Sequence, residues 1–288
     1  MTDSVLVTGA SVGFGKEIAL LLAERGFTVY ATMRHLDRRG PLEEEAARRG
    51  VSVRIRRLDV TDRPSIEETV QSIVDETGGV YAAVNNAGLF LRGFFEDLTD
   101  EEIRRVFETN LFGAMAVTRA VLPHMRAAGR GRIVVISSVA GRIGSPSGSI
   151  YSASRFAQEG FAEALRQEVE PLGIYVSLVE PGITKTESWT IDKGAGVRAR
   201  DPNSPYYPWF KRAEELFDQA MRSSPITTRD VAEAVYRAIT DRRPRWRYMV
   251  GWRARIVIGL RRYVPEELFN RLYFGEVMRR VTGGARGT

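Results

Sequence analysis

One run of residues constrains the fold more than any other: Thr8-Gly9-Ala10-Ser11-Val12-Gly13-Phe14-Gly15. It follows an apolar strand-like stretch at 5–8 and opens a stretch of helical spacing at 14–25, where Ile18, Leu21 and Leu22 share a face. Glycine at 9 lets the chain turn sharply, because it lacks the Cβ that disfavours positive φ. Gly13 lets the backbone come close to a pyrophosphate, and Gly15 lets helix and sheet pack closely. The helix start offers unpaired N–H groups and the positive end of its dipole to phosphate oxygens. Strand, turn and helix together predict a nucleotide cradle formed by Gly9, Gly13, Phe14 and Gly15.

The rest of the chain repeats this alternation. Strand-like runs at 27–32, 51–58, 80–84, 132–137, 174–179 and 246–250 are interleaved with helix-like runs at 42–49, 65–76, 100–128, 151–171 and 228–241. Pro123 is the candidate break in the long 100–128 helix. Such an order implies parallel strands joined by right-handed crossovers. The prediction is a single α/β domain over residues 1–288, a doubly wound Rossmann fold with a parallel sheet. Two stretches depart from the alternation. Residues 187–225, rich in Gly, Pro and aromatics, read as a substrate-covering insertion, and residues 242–280 read as a basic C-terminal strand and helix. No internal repeat or low-complexity linker divides the chain.

Composition narrows the chemistry. With 43% hydrophobic and 27% charged residues the chain can bury a core, which argues against disorder. It has no cysteine, which excludes disulfides, thiolate nucleophiles and Cys-ligated metals. Its two histidines, His35 and His124, form no paired ligand motif, so no metal site is expected. His124, in Leu122-Pro123-His124-Met125, reads as a helix-end residue rather than the base of a hydrolase. No stretch of about 18 apolar residues predicts a membrane span, and no basic start followed by an apolar core predicts a signal peptide. The expected location is the cytoplasm. The net charge of +6 suits an anionic cofactor, but by itself also suits nucleic acid or an anionic membrane surface.

The end of the second strand separates NAD from NADP. An acid there holds the ribose 2′-hydroxyl of NAD, and an arginine accommodates a 2′-phosphate. Here Ala31-Thr32-Met33-Arg34-His35 places no acid at the strand end, and Arg34 offers a forked guanidinium suited to a phosphate dianion. NADP(H) is therefore preferred, with Ser11 as a helper. Asp37 lies close enough to keep NAD(H) open, and Arg34 as a solvated loop arginine is the alternative.

Further motifs follow in order. Leu58-Asp59-Val60 comes after the third strand and Asn85-Asn86-Ala87-Gly88 after the fourth. Asn110 stands on the next helix in Asn110-Leu111-Phe112-Gly113. Ser137-Ser138 ends the fifth strand, Tyr151 begins the helix after it, and Pro181-Gly182-Ile183-Thr184-Lys185-Thr186 follows the sixth. With the glycine pattern Thr-Gly-x-x-x-Gly-x-Gly, this succession over residues 4–186 resembles the short-chain dehydrogenase/reductase family. The wording around Tyr30-Ala31-Thr32-Met33-Arg34 resembles its hydroxysteroid- and retinol-dehydrogenase-like branch.

The resemblance implies roles. Asp59 and Val60 would meet the adenine, and Asn86, Ala87 and Gly88 would belong to the cofactor site. Ser138, thirteen residues before Tyr151 as in the family, would hold the substrate carbonyl or hydroxyl. Tyr151 would be the general acid in reduction and the base in oxidation, and Asn110 would hold a water in a proton relay. Thr186 and the backbone from Pro181 and Gly182 to Ile183 and Thr184 would anchor the nicotinamide carboxamide. These residue types suit carbonyl reduction, in which charge develops on oxygen and meets a hydroxyl donor and a proton.

The pattern breaks at one position. Free tyrosine has a pKa of about 10 and needs a nearby cation to act near neutrality. The family supplies a lysine four residues after the tyrosine, but here Tyr151-Ser152-Ala153-Ser154-Arg155 carries an arginine. Arginine keeps the charge and changes the geometry, since it is longer, planar and permanently protonated. Three readings follow: an active NADP(H)-dependent oxidoreductase in which Arg155 serves, a slow enzyme, natural or altered at this position, or an NADP(H)-binding pseudoenzyme or sensor with little or no turnover.

On the substrate side the insertion holds Trp189, Tyr206, Tyr207, Trp209, Phe210 and Phe217. They form either a wide apolar pocket for a lipophilic alcohol or ketone, or the packing of a lid onto the core. Phe90, Phe94 and Phe95 are either the opposite wall or core. The stretch 242–262 carries eight arginines interleaved with Trp246, Trp252, Ile256 and Leu260. It reads as a terminal strand and helix with arginines facing water, in preference to peripheral membrane contact; a membrane-associated lipid-binding protein is the third, less favoured, function. No nucleic-acid partner is expected. The family resemblance implies a homodimer or homotetramer through the 100–128 and 151–171 helices.

Overall fold

The computed structural model describes residues 3–186 and 194–284. Seven strands, β1 (Ser4–Val7), β2 (Thr28–Met33), β3 (Arg54–Arg57), β4 (Ala82–Asn85), β5 (Gly131–Ile136), β6 (Ile174–Pro181) and β7 (Arg247–Val250), form one sheet. Every pairing is parallel, and the order is β3-β2-β1-β4-β5-β6-β7. The chain winds outward from β1 to β3, returns to the other side of β1, and winds out again to β7. The direction of winding therefore reverses between β1 and β4, whose ends pair in register through Val7 and Val84.

The inner strands β1, β2, β4, β5 and β6 are buried almost throughout because both of their faces are covered, whereas the edge strand β3 (Arg-Ile-Arg-Arg) is not. Val5 and Val7 point into one core layer, with Ile18, Leu21, Val231 and Val235. Leu6, between them, points into the other, with Ile66, Val117, Val121 and Leu165. Helices α1 (Gly13–Glu24) and α2 (Gly40–Arg49) serve the first layer; α3 (Arg63–Thr77), α5 (Gly113–Ala127) and α6 (Ser149–Val169) serve the second. Before α5 comes α4 (Asp100–Phe107), which starts on a capping box between Thr99 and Glu102.

The long helix departs from expectation at one point. Pro123 lies inside α5 and breaks nothing. The irregularity is a π-helical turn at Glu108–Phe112, joining α4 to α5 around Asn110. Such bulges add a residue to one turn and are frequent at functional sites.

The 187–225 insertion contains a helix that the alternation did not predict, α7 (Tyr207–Arg222). Trp189 lies outside the described residues. After α8 (Thr228–Thr240) and β7, the basic segment continues as α9 (Trp252–Tyr263), α10 (Glu266–Phe269) and α11 (Gly275–Thr282). No helix among the described residues is long and apolar enough to cross a membrane.

Candidate active site

The reversal of winding brings the loop after β1 against the loop after β4. Thr8 Oγ1 accepts hydrogen bonds from the N–H groups of Asn86 and Ala87, each at 3.0 Å. Asn86 Nδ2 donates in return to the carbonyls of Thr8 (2.8 Å) and Gly9 (3.0 Å). Gly9 and Gly13 have φ of 67° and 62°, in the left-handed region. A Cβ on Gly15 would lie 2.3 Å from the Gly9 carbonyl oxygen, and one on Gly9 would lie 2.9 Å from Ala87 Cα. Packing alone thus demands glycine at 9 and 15. Ser11 and Phe14 are half-buried in this turn. Helix α1 starts from Val12 with no side-chain cap and no acid in its first turn, which leaves its first N–H groups to an anion. These residues fit a dinucleotide phosphate.

At the far end of this cradle, Arg34 is exposed just beyond β2, with its Nε donating to the His35 ring at 2.9 Å. Asp59 follows β3. Burial pushes its carboxyl up, but the N–H and hydroxyl of Thr61 and the charges of Arg34 and Arg57 outweigh that and hold it below the usual range. Arg57 is paired in register with Met33, the residue before Arg34. It is a second cation at this end that sequence reasoning missed, since only strand register brings it there. Val60 is buried against Gly113 at the start of α5.

The candidate catalytic residues gather on α6 and the loops facing it. Ser138 caps a short turn after β5, and its Oγ accepts from Ala140 N–H at 3.1 Å. That contact uses a lone pair and leaves the hydroxyl proton available. The same turn packs on α6, where a Cβ on Gly141 would meet the Arg155 carbonyl at 3.1 Å. Tyr151 lies in the first turn of α6, half-buried, and no hydrogen bond of its hydroxyl is found among the described residues. Its ring meets Phe90 edge-on at 4.6 Å, and the Arg155 guanidinium carbon stands 5.0 Å from its centroid.

Arg155 is buried, 6% exposed. Its Nη1 donates to the Ile136 carbonyl (2.9 Å) and to Gln158 Oε1 (2.7 Å), and a Cβ on Gly88 would lie 2.7 Å from its Nη2. Gln158 Nε2 donates onward to the Asn110 backbone carbonyl at 2.5 Å. The Asn110 side chain accepts from Leu89 N–H (2.6 Å) and donates to the Leu89 carbonyl and Ser154 Oγ, both at 3.0 Å. Gln158 was not among the sequence candidates; it looks like an ordinary helix residue until burial pairs it with Arg155 and Asn110.

The loop after β6 closes the site. Gly182 N–H donates to Val250 O at 2.9 Å, Thr184 Oγ1 to Gly182 O at 2.9 Å, and Ser224 Oγ to Ile183 O at 2.5 Å. Pro181 is buried at the end of β6, and Thr186 is half-buried. Behind this loop, Glu180 is fully buried between Arg142 (3.3 Å) and Arg247 (2.6 Å), and Arg247 also contacts Glu159. Burial pushes the Glu180 carboxyl up, and Arg142 pulls it back only in part.

The insertion's aromatics go to three places. Phe217 of α7 packs on Phe90 at 5.6 Å, so an apolar wall runs from α7 to Tyr151. Phe210 is 1% exposed and packs α7 onto the body, beneath the buried Arg92, which is ion-paired with Glu214 at 3.0 Å. Tyr206 stacks on Phe94 and Trp209 meets it edge-on in a separate cluster, and Phe95 is 63% exposed, neither wall nor core.

Comparison with known proteins agrees with this geometry. Residues 3–193 match the family model described as short chain dehydrogenase. A 3-ketodihydrosphingosine reductase of Bacteroides thetaiotaomicron is 37% identical over 247 residues, covering 86% of this chain and 87% of the relative. Retinol dehydrogenase 8 of Bos taurus is 35% identical, covering 91% and 86%. A short-chain dehydrogenase from Streptomyces avermitilis superposes with a TM-score of 0.79 at 33% identity, over 96% of this chain and 99% of that one. A serine dehydrogenase in its closed form with NADP+ superposes with a TM-score of 0.72 at 30% identity, over 86% and 94%. The parallel sheet, the glycine turn locked to the Asn86 loop, and sequence matches running the length of the described body leave one assignment: the chain belongs to the short chain dehydrogenase family of oxidoreductases.

Proposed function

We propose that this chain is an NADP(H)-dependent oxidoreductase that interconverts a lipophilic alcohol and its ketone or aldehyde, with Tyr151 as general acid and base. The observation that carries the proposal is the setting of Tyr151. Its ring stands between a buried cation, Arg155, and an apolar wall, Phe90 and Phe217. A proton donor at the end of an apolar wall suits a substrate with one polar atom to place. The names of the sphingosine-type reductase and the retinol dehydrogenase support the same substrate class.

When bound, a nicotinamide nucleotide supplies the hydride. The chain's own residues do the rest. The first N–H groups of α1 and the glycine turn hold the phosphates, while Arg34, with Arg57 beside it, favours a 2′-phosphate. Ser138 donates its free hydroxyl proton to the substrate oxygen and fixes its position. Tyr151 gives that oxygen a proton in reduction and takes it back in oxidation. Arg155, fixed by Ile136 and Gln158, positions the Tyr151 ring. Thr184, Thr186 and the backbone at Pro181–Ile183 hold the carboxamide side. Phe112 (50% exposed) and Phe156 (43% exposed) support a homo-oligomer through the α4–α5 and α6 helices.

A second reading has its own observation. Nη1 of Arg155 and the Asn110 carbonyl are both engaged by Gln158, so the relay water that the family resemblance implies meets occupied partners. On that reading the chain binds NADP(H) without turnover.

The test follows nicotinamide absorbance while NADPH is offered with long-chain and cyclic ketones and aldehydes. Native protein is expected to turn over, and Tyr151→Phe to lose about 10²- to 10⁴-fold in kcat/KM with Tm unchanged. Oxidation of NADPH by Arg155→Lys alone, with none by the native chain, would replace the first reading with the second.

A further inference from the structure

Helix α9 half-buries Ala254, Val257 and Ile258 on its inner face and leaves a second apolar face bare. Trp252, Ile256 and Leu260 are 58%, 51% and 51% exposed, Tyr263 is 81% exposed, and no residue of the helix is buried. At 3.6 residues per turn these four side chains fall within about 80° of the circumference. By the same spacing Arg253 borders the stripe on one side and Arg255 and Arg262 on the other, all three exposed. Residues 242–265 contain eight arginines and no acid. A helix of this length is marginal in water unless an apolar face is packed. Yet α9 is held from the opposite face and one edge: Ala254 lies against Gly182, Arg261 donates to the Arg142 carbonyl (2.6 Å), and Arg255 at the edge donates to the Met249 carbonyl (2.9 Å).

We propose that α9 docks on an anionic lipid surface, with the stripe in the headgroup–acyl boundary and the flanking arginines on lipid phosphates. An apolar ridge bordered by cations on both sides fits that surface and no other simple partner as well. A second copy meeting the same face in a closed dimer would set arginine against arginine. Nucleic acid would meet the charge and leave Ile256 and Leu260 in water.

The position of α9 gives the docking a use. Ala254 touches the loop after β6, and Arg261 holds Arg142, which follows the turn capped by Ser138. Two loops of the site therefore lie one helix away from the lipid. A membrane-dissolved alcohol or ketone would then reach the site without crossing bulk water; this consequence rests on the proposed function, whereas the docking does not.

Flotation of the full chain with phosphatidylcholine vesicles, with and without phosphatidylglycerol, tests the docking and requires no turnover. The chain is expected to float with the phosphatidylglycerol vesicles. Binding should fall at least about tenfold when salt shortens the Debye length from about 10 Å to about 3 Å. Ile256→Asp/Leu260→Asp is expected to lose at least about tenfold, with circular dichroism and Tm unchanged because both side chains are exposed. Arg253→Gln/Arg262→Gln should lose the preference for phosphatidylglycerol. No flotation of the native chain at low salt would overturn the proposal. So would full flotation of Ile256→Asp/Leu260→Asp, which would mean diffuse charge attraction, or a fall in sedimenting mass in that variant, which would mean that a second copy covers the face.

Discussion

At position 155 a guanidinium reaches further than an ammonium and can hold several acceptors at once. Its Nη1 ends on Ile136 and Gln158, Gln158 ends on Asn110, and Asn110 ends on Leu89 and Ser154. The replacement of lysine is thus embedded in a buried chain of hydrogen bonds, not left as an isolated change. The sequence made Arg155 and its spacing from Tyr151 legible, and it placed Asn110, Ser138 and the glycines. Gln158 stayed invisible because one partner, the Asn110 carbonyl, comes from the π turn, which only tertiary packing brings to α6, and the other, Arg155, is turned toward it only by that packing. Arg57 stayed invisible for a similar reason: strand register, not sequence distance, sets it beside Arg34. At this scale the cofactor preference is testable. Removing a charge-assisted contact costs about 1.5–3 kcal/mol, or roughly 10- to 150-fold. Arg34→Ser should therefore raise KM for NADPH by about tenfold or more while leaving KM for NADH nearly unchanged, and Arg57→Ser should move it the same way by less. Initial rates with both nucleotides check this, and an unchanged NADPH to NADH ratio in both variants would remove the basis for NADP(H) preference.

Among the elements, α1, α2 and α8 are pinned by one cluster of charges. Arg49 of α2 reaches Glu17 (2.7 Å) and Glu24 (3.0 Å) of α1, and Arg229 of α8 reaches the same two at 3.2 Å and 2.8 Å. The hydrogen bond from Arg229, the largest influence, holds the Glu24 carboxyl below its ordinary value of 4.5 against the opposing effect of burial. A carboxyl whose folded pKa is depressed binds its proton more readily when unfolded. Its stabilisation is therefore full above the ordinary value and is lost as pH falls through the folded value. Tm is expected to hold from neutrality down to about pH 5 and to decline below it. In Arg229→Gln the neutral Tm should be lower and the decline shallower, because Glu24 has lost its main partner. Calorimetry across the acid range checks both slopes, and parallel slopes in the two proteins would show that this cluster carries no acid sensitivity. Periodicity made the elements around this cluster legible. It missed α7, although Phe210, Phe217 and Met221 recur at helical spacing there, because Pro205, Pro208 and the crowd of aromatics read as loop. It also missed the π turn, since one extra residue in a 28-residue amphipathic run (Asp100–Ala127) barely disturbs the pattern.

For the molecule as a whole, the alternation of elements implied a parallel sheet, and the crossover rule left few orders for its strands. The winding reversal beside β1 then points to the candidate site, at the strand ends where the loops after β1 and β4 meet. What alternation does not specify is which outer surfaces stay bare. Among those that do are the α9 stripe and a face of the α5 and α6 region, where Phe112 follows Asn110 by two residues and Phe156 precedes Gln158 by two. The Gln158–Asn110 bond holds the two helical segments together, so the two phenylalanines belong to one packed pair of helices. They carry little charge of one sign around them to forbid self-contact: Glu108 and Glu163 stand on these segments with Arg119 and Arg166. A face of this kind can meet its own copy about a two-fold axis, where each phenylalanine is covered by the partner's helices and acidic and basic positions can alternate. The chain is accordingly expected to sediment as at least a dimer of its 32.2 kDa unit. Phe112→Glu/Phe156→Glu should bring it to 32.2 kDa, because two buried carboxylates at the centre of a symmetric contact repel and lack partners. Ile256→Asp/Leu260→Asp should leave the mass as it is. Sedimentation equilibrium on the three proteins decides the matter: a native chain of single-unit mass, or a Phe112→Glu/Phe156→Glu variant that keeps the native mass, would show that this face is not where copies meet.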